Sequence, residues 1–205
     1  KMAEEIGIRH QLVSIEADLM ETIKDNPTDR CYYCKKKIFS QVKEFAEDWV
    51  VADGTNIDDL GDYRPGLKAV KELEVHSPLK EAGLNKAEIR RLSQELGLSS
   101  WNLPSTTCLA TRFPYGEGIT SDKLESLEKA EVYLHQLGFE QLRVRYHGEI
   151  ARIEVAPEER AKFFDLDKLD QINQKLQEFG FDYVTMDVGG YQTGKMNKSV
   201  GTNQN

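Results

Sequence analysis

Compact apolar runs alternate with helical patterns over the first hundred residues, and this alternation restricts the fold most. The run 49–52 (WVVA) stops at Asp53, as a buried strand of a parallel sheet does. Residues 29–46 before it carry apolar side chains at helical spacing. A later helix is expected to begin near Asn85, because Glu88 follows it at capping-box spacing. Strands separated by helices predict an α/β fold with a parallel sheet.

A long loop divides the chain into two patterns. Between Trp101 and Thr120 the sequence is rich in Pro, Gly, Ser and Thr, and ordered loops of this length are often functional. The pattern then changes to helix, strand, strand, helix, strand, which predicts a smaller α+β domain. The predicted helices there are 121–137 and 167–179, the strands are 141–147, 149–155 and 183–188, and 11–15 is a further strand candidate in the first half. The predicted segments are therefore 1–103, 104–120 and 121–205.

Charge and cysteine content restrict the partners. The chain has 205 residues and a net charge of −8, whereas a protein that grips a nucleic-acid backbone usually has a basic face. Its apolar runs are far shorter than the roughly 20 residues that a bilayer span needs. Three cysteines are an odd count, unlike the dense, even set of a secreted disulfide scaffold. We therefore expect a cytoplasmic protein that binds neither nucleic acid nor a membrane.

The cysteines are the strongest candidates for chemistry. Cys31 and Cys34 are three residues apart at the predicted start of a helix, so both sulfurs can face one point. The helix N-terminus and nearby basic residues favour thiolates there. Cys108 lies in the long loop and, taken alone, is equally well interpreted as a small buried side chain. Four roles of the cysteines remain open: an iron–sulfur cluster, a zinc site, a redox dithiol or no shared role. Three thiolates with no obvious fourth ligand favour a cluster with one open iron over zinc.

Polar residues directly after the predicted strand 49–52 suit a nucleotide. Asp53, Asn56 and Asp59 offer carboxylates and an amide for magnesium or ribose. Arg64 follows and is placed to meet a phosphate. The alternative is a solvated turn, because Asp, Asn and Gly are common turn residues.

A second group of charged residues follows Cys108. Arg112 lies four residues after it, and Glu131 interrupts the apolar side of the predicted helix 121–137. Arg143 and Arg145 share one face of an alternating strand. They suit an anion site, and a solvated sheet face with a neighbouring salt bridge is the equally weighted alternative.

Eight short runs lie in order along the whole chain, namely 29–36 (DRCYYCKK), 52–56 (ADGTN), 59–66 (DLGDYRPG), 101–102 (WN), 111–116 (TRFPYG), 143–147 (RVRYH), 150–154 (IARIE) and 186–191 (MDVGGY). Taken together, these runs resemble the LarE family of PP-loop ATP pyrophosphatases. The resemblance implies a PP-loop (adenine nucleotide alpha hydrolase-like) domain followed by an α+β substrate and oligomerisation domain. It also implies an ATP-dependent sulfur transferase, or sulfur insertase, with Mg as a cofactor. Such an enzyme converts a pyridinium dicarboxylate mononucleotide to its thiocarboxylate through an acyl adenylate, in biosynthesis of the nickel-pincer nucleotide cofactor of lactate racemase.

The resemblance implies two variants, one that sacrifices its own cysteine and one that carries sulfide on a 4Fe–4S cluster. The run 111–116 places Cys108 at, or within one residue of, the sacrificed cysteine. Because both cysteines of the C-x-x-C pair are present, we expect the cluster variant, with Cys31, Cys34 and Cys108 as metal ligands. By the same matching, Glu131, Arg143 and Arg145 fall on pocket residues of the family's C-terminal domain and Arg112 on its loop arginine. The expected catalytic residues are therefore Cys108, Arg112 and Glu131, and Arg143 and Arg145 join Arg64 as expected substrate-binding residues. The expected nucleotide-binding residues remain Asp53, Asn56 and Asp59.

One motif of the family is not in this sequence. The phosphate-binding S-G-G-x-D-S loop is expected N-terminal to Lys1, so the PP-loop domain is expected to be incomplete at its N-terminus. The expected partners are the mononucleotide, a sulfide donor and further copies of the chain in a homo-oligomer. The alternatives are a tRNA thiolase of the same superfamily, an ATP-dependent amidating synthetase and a zinc-stabilised binding module without catalysis.

Overall fold

The computed structural model describes residues 2–15, 18–61, 63–103 and 106–192. Parts of the predicted segments lie outside these residues, namely residues 1, 16 and 17, Asp62 of the run 59–66, Pro104 and Ser105 of the long loop, and 193–205. The chain forms two compact units, which we call the first unit (Lys1–Ile23 and Asp29–Ser105) and the second unit (Lys24–Thr28 and Thr106–Asn205). The predicted boundaries at 103 and 120 do not account for residues 24–28, which belong to the second unit. The functions predicted for the three segments stay predictions.

Helices are the main regular structure of the first unit. Helix α3 (Arg30–Ala46) matches the helix predicted over 29–46. The predicted capping box before α6 (Lys86–Glu95) is also confirmed, because the Asn85 side chain accepts from the Glu88 N–H at 2.9 Å and the Glu88 carboxylate accepts from the Asn85 N–H at 2.9 Å. The helices are α1 (Met2–Glu5), α2 (Asp18–Ile23), α3 (Arg30–Ala46), α4 (Gly66–Glu72), α5 (Pro78–Glu81) and α6 (Lys86–Glu95), with a 3-10 helix over Ile57–Gly61.

The two strands predicted for the first half, 11–15 and 49–52, are wrong as strands. Residues 9–15 have no regular structure, and Ala52 forms one isolated parallel bridge with His76. The bridge consists of the Asp53 N–H donating to the His76 carbonyl at 2.8 Å and the His76 N–H donating to the Val51 carbonyl at 2.9 Å. A strand needs a hydrogen-bonded neighbour along its length. For the segments 11–15 and 49–52, the described residues provide such a neighbour only at this bridge. The parallel sheet of a PP-loop domain therefore stays a prediction.

The second unit confirms the predicted order of helix, strand, strand, helix, strand. Strands β1 (Leu142–His147) and β2 (Ile150–Val155) are antiparallel around a turn at Gly148, and β3 (Tyr183–Met186) adds to β2 in parallel, so the sheet order is β1-β2-β3. The chain is therefore a mixed α/β protein. The elements are α7 (Ser121–Gln136), β1 (Leu142–His147), β2 (Ile150–Val155), α8 (Leu166–Glu178) and β3 (Tyr183–Met186), with 3-10 helices over Leu109–Arg112 and Pro157–Phe163.

Alternation along the strands places the core of the second unit. Alternate residues of β1 and β2 are apolar and buried at Leu142, Val144, Ala151, Ile153 and Val155, as on the core-facing side of a sheet. Helices α7 and α8 contribute apolar side chains from one side of each helix. The buried residues of these four elements include Leu142, Val144, Ala151, Ile153, Val155, Leu127, Leu134, Ile172 and Leu176.

The segment 24–28 completes the long loop of the second unit. The Asn26 side chain is fully buried and donates to the carbonyls of Phe113 and Pro114 at 3.4 and 2.6 Å. The backbone adds two bonds, from the Gly116 N–H to the Asn26 carbonyl at 3.0 Å and from the Ile119 N–H to the Lys24 carbonyl at 2.7 Å. Residues about 90 positions apart in sequence therefore form one hydrogen-bonded structure.

Across the described part of the chain, no helix combines the length and the apolar character that a membrane span requires.

Candidate functional site

Cys31 and Cys34 lie in the first turns of α3, as predicted. Cys31 is exposed and Cys34 is half-buried. The start of α4 packs closely on this turn, since a Cβ atom on Gly66 would lie 3.2 Å from the Cys31 carbonyl oxygen and 2.9 Å from the Lys35 side chain. Glycine at 66 allows this approach, which fixes the backbone that carries the first cysteine.

Asp53 is held as a carboxylate near the same helix. One oxygen, Oδ1, accepts from the Thr55 N–H at 3.1 Å and from the Ser77 hydroxyl at 2.8 Å. The other, Oδ2, accepts from the Thr55 hydroxyl at 2.6 Å and lies 3.4 Å from the Lys35 ammonium. Burial raises the pKa of Asp53, but these hydrogen bonds and the Lys35 charge outweigh it, and the pKa stays below its usual value.

Asn56, Asp59 and Arg64 form a hydrogen-bonded turn. The Asn56 N–H donates to Asp59 Oδ2 at 3.1 Å, and the Asp58 N–H donates to the Asn56 side chain at 3.1 Å. The other oxygen of Asp59 lies 3.1 Å from Arg64 and 3.7 Å from Lys86. The structure thus brings the three predicted nucleotide-binding residues to one segment, where Asn56 and Asp59 make the contacts of a local turn. Their nucleotide contacts, and the phosphate contact of Arg64, stay predictions.

Cys108 is exposed and directly precedes the 3-10 helix Leu109–Arg112. Its carbonyl oxygen accepts from the Thr111 N–H at 2.9 Å and from the Thr111 hydroxyl at 2.7 Å. Ala110 is buried beneath the turn. The backbone is therefore fixed on one side while the thiol remains accessible on the other.

Arg112 and Glu131 form a buried, bidentate ion pair. Arg112 is only 3% exposed, and its Nε and Nη2 donate to the two Glu131 oxygens at 2.7 and 2.9 Å. The remaining terminal nitrogen of Arg112 donates to the hydroxyls of Thr107 and Thr111 at 2.7 and 2.8 Å. Glu131 also accepts from the Val144 N–H at 2.9 Å. The pair therefore connects the segment around Cys108 to α7 and to β1.

Arg145 forms a second buried pair, with Glu154 on β2. Its Nε and Nη2 lie 3.0 and 2.9 Å from one Glu154 oxygen, and the other oxygen accepts from Arg152 at 3.0 Å. Arg145 Nη1 donates to the Thr111 carbonyl at 2.9 Å. Sequence reasoning allowed for a neighbouring salt bridge but did not name Glu154. The signal was present, because Glu154 pairs with Arg143 in the strand register and so shares the sheet face of the two arginines.

Arg143 is half-buried beside Tyr191. Its guanidinium carbon lies 5.3 Å from the centre of the Tyr191 ring, and Nη1 donates to the Leu142 carbonyl at 2.6 Å. Burial lowers the pKa of Arg143, and the charge of Arg112 lowers it further, while Tyr191 and Glu131 act in the opposite direction. Arg112, Glu131, Arg143 and Arg145 thus interact within one cluster.

Gly190 explains why Tyr191 lies next to Arg143. The backbone at Gly190 has φ of +68°, and a Cβ atom there would lie 2.7 Å from the Val155 carbonyl oxygen. The same oxygen accepts from the Tyr191 N–H at 2.7 Å. Only glycine tolerates both conditions. Tyr191 was part of a family-like run but was not predicted as a site residue.

The three cysteines are divided between the units. Cys31 and Cys34 belong to the first unit and Cys108 to the second. Thiolate sulfur is the usual ligand of iron–sulfur clusters, and accessible thiols at helical spacing of three fit such a group. Within 2–15, 18–61, 63–103 and 106–192, no group of three or more His, Cys, Asp or Glu side chains is placed to hold a metal ion. The shared cluster stays a prediction.

Relatives of this chain are found across distant microbes, although no family model matches it. It is 42% identical over 202 residues to the pyridinium-3,5-bisthiocarboxylic acid mononucleotide synthase of Lactiplantibacillus plantarum, covering 97% of this chain and 72% of that protein. It is 44% identical over 200 residues to an uncharacterized protein of Synechocystis sp., covering 96% and 74%. It is 32% identical over 195 residues to an uncharacterized protein of Methanocaldococcus jannaschii, covering 92% and 74%. Such identity over nearly the whole chain shows that it belongs to the LarE family, that of the pyridinium-3,5-bisthiocarboxylic acid mononucleotide synthases.

Proposed function

We propose that this chain belongs to an ATP-dependent sulfur transferase that makes a pyridinium thiocarboxylate mononucleotide for nickel-pincer nucleotide biosynthesis. The observation that carries the proposal is the 42% identity, over 97% of the chain, to a protein named for the bisthiocarboxylic acid product. A thiocarboxylate is obtained from a carboxylate when one oxygen is replaced by sulfur. The substrate is therefore the corresponding pyridinium dicarboxylate mononucleotide.

Replacing a carboxylate oxygen requires activation. The carboxylate attacks the α-phosphate of ATP, pyrophosphate leaves, and the acyl adenylate forms. A sulfur nucleophile then adds to the acyl carbon, the carbon–oxygen bond to AMP breaks, and the thiocarboxylate is released with AMP. Asp53, Asn56 and Asp59 are the proposed contacts for magnesium and nucleotide. The lowered pKa of Asp53 supports this role, because magnesium binds the ionised carboxylate.

Cys31, Cys34 and Cys108 are the residues that would hold the 4Fe–4S cluster. When bound, the cluster supplies sulfide, so no side-chain sulfur is consumed. The exposure of Cys31 and Cys108 supports the proposal, since thiols that take up a cluster have to be accessible to it.

A second candidate mechanism uses the sulfur of Cys108 itself, and its exposed thiol favours it. The Cys108 thiolate attacks the acyl carbon of the adenylate, the carbon–oxygen bond to AMP breaks, and a thioester forms as AMP leaves. Loss of the Cα proton then breaks the Cβ–S bond, which releases the thiocarboxylate and leaves dehydroalanine. This route gives one turnover for each polypeptide.

Arg143 is the proposed contact for the substrate phosphate. It is half-buried and lies over the Tyr191 ring, an arrangement that holds a planar guanidinium in a fixed orientation. Arg112 and Glu131, two of the three predicted catalytic residues, lie beside it and set the charge around it.

The test uses the full-length protein, reconstituted with iron and sulfide without oxygen and supplied with ATP, magnesium, sulfide in excess and the dicarboxylate mononucleotide. Thiocarboxylate and AMP are measured by mass spectrometry, together with iron and acid-labile sulfide. The cluster mechanism predicts several turnovers, with cluster and activity both lost in each of the Cys31→Ala, Cys34→Ala and Cys108→Ala variants.

Other results identify the alternatives. One turnover that survives in Cys31→Ala and Cys34→Ala, with dehydroalanine at Cys108, establishes the sacrificial mechanism. Bound zinc without labile sulfide, and no thiocarboxylate from any variant, favours the binding module. Thiolation of tRNA in place of the mononucleotide favours the tRNA thiolase.

A further inference from the structure

The segment 107–112, which we call the cysteine loop, is fastened by two buried arginines. Arg112 donates to the Thr107 and Thr111 hydroxyls. Arg145 donates to the Thr111 carbonyl at 2.9 Å. Thr111 in turn donates twice to the Cys108 carbonyl. The thiol-bearing residue is therefore connected to the sheet through Thr111.

The Arg145 guanidinium spans two different structures. Two of its nitrogens bind the Glu154 carboxylate on β2, and the third binds the loop backbone. Glu154 is fully buried, so its charge orients Arg145 in a setting that solvent screens little. Because a planar guanidinium has its donors in a fixed fork, binding Glu154 sets the direction of the donor that meets Thr111.

We propose that Arg145, oriented by Glu154, is a positioning residue that holds the cysteine loop for sulfur transfer, and not a residue that contacts the substrate phosphate. This proposal rests on the proposed function. It assigns Arg143 and Arg145, neighbours on one strand, to different tasks. Arg143 faces the Tyr191 ring, whereas Arg145 is buried against Glu154 and the loop.

The experiment compares three variants of the full-length protein by amide hydrogen exchange and steady-state kinetics. Arg145→Gln removes the guanidinium and its charge. Arg145→Lys keeps a positive charge near Glu154, but a single ammonium cannot bind both Glu154 and the Thr111 carbonyl as the guanidinium does. Arg152→Gln is the matched control, because Arg152 binds the other oxygen of Glu154 and, within the described part of the chain, its ion pairs are with Glu154 and Asp187, outside the cysteine loop. Exchange of the β2 amides reports in each case whether the second unit remains folded.

The amide of Thr111 is the direct probe, because it donates to the Cys108 carbonyl. In both Arg145 variants its exchange is expected to be about tenfold faster, the size of effect that follows from losing one hydrogen bond from a charged donor. In Arg152→Gln it should be unchanged. The kcat for thiocarboxylate formation should fall about tenfold in Arg145→Lys, with the KM for the mononucleotide within about twofold of wild type.

Three results would overturn the proposal. They are unchanged exchange at Thr111 in Arg145→Lys, faster exchange with unchanged kcat, and a raised KM with unchanged kcat, which would mean direct substrate contact. A wild-type protein that makes no thiocarboxylate contradicts the proposed function instead. In that case the exchange at Thr111 still decides whether Arg145 holds the loop.

Discussion

Replacing Glu131 with glutamine is expected to destabilise the second unit by about 3 kcal/mol. Glu131 is 9% exposed and accepts two hydrogen bonds from Arg112 and one from the Val144 N–H. Glutamine keeps one acceptor oxygen but leaves the buried Arg112 guanidinium without its counter-charge. Removing one partner of a buried ion pair costs about 3–5 kcal/mol, and the retained acceptor places the expected loss at the lower end of that range.

The assay has to report on the second unit. Trp49 and Trp101 both lie in the first unit, so tryptophan fluorescence does not serve. The β2 amides lie in the central strand and exchange when the unit opens. A loss of about 3 kcal/mol corresponds to exchange that is about a hundredfold faster at the same pH.

Two further variants make the result specific. Glu125→Gln changes an exposed carboxylate of the same helix, which pairs with Lys129 at 2.7 Å, and should leave exchange unchanged. Adding Arg112→Met to Glu131→Gln removes the uncompensated charge and should recover part of the loss. If exchange in Glu131→Gln stays within about twofold of wild type, the reasoning about this pair is refuted.

Two other predictions concern the second unit. Gly190→Ala should lower the free energy of unfolding by about 1–2 kcal/mol because of the positive φ alone. The loss should be larger still, because the alanine Cβ would lie 2.7 Å from the Val155 carbonyl oxygen. A change below about 0.5 kcal/mol would contradict this prediction. Burial raises the pKa of Glu159, but hydrogen bonds from Lys162 and from the N–H groups of Glu140 and Gln141 outweigh it and lower the pKa below its usual value. The stability that Glu159 contributes is therefore present above the ordinary glutamate pKa of about 4.3 and is lost as the pH falls through the lower folded value. The difference in unfolding free energy between wild type and Glu159→Gln should shrink over that interval, and a constant difference would contradict the assignment.

The second unit could be predicted from the sequence because its signals are local. Alternation from Leu142 to His147 identified β1, and the spacing of leucines identified α7. The strand predicted over 49–52 failed for a physical reason. Its apolar composition predicted burial, yet Trp49 and Val50 are 80% and 76% exposed. Among the described residues, the segment pairs with another segment only through the bridge between Ala52 and His76. Apolar character marks a candidate strand, whereas pairing depends on distant segments.

The candidate site was predicted in part. Glu131 was identified because it interrupts an apolar helix side, and Arg143 and Arg145 because they share one face of an alternating strand. Arg112 was identified because it follows Cys108 by four residues in the long loop. The pairing of these residues was not identified, since the bidentate contact between Arg112 and Glu131 depends on how the loop meets α7. The convergence of the three cysteines depends in the same way on tertiary arrangement and stays a prediction.

The placement of residues 24–28 means that no single cut separates the two units. A fragment that begins at Thr106 would lose Asn26, and with it the donor for the Phe113 and Pro114 carbonyls. During synthesis these five residues leave the ribosome early and must wait for Ile119 before their contacts can form. Proteolytic nicking between α2 and α3 should therefore loosen a loop far downstream in the chain.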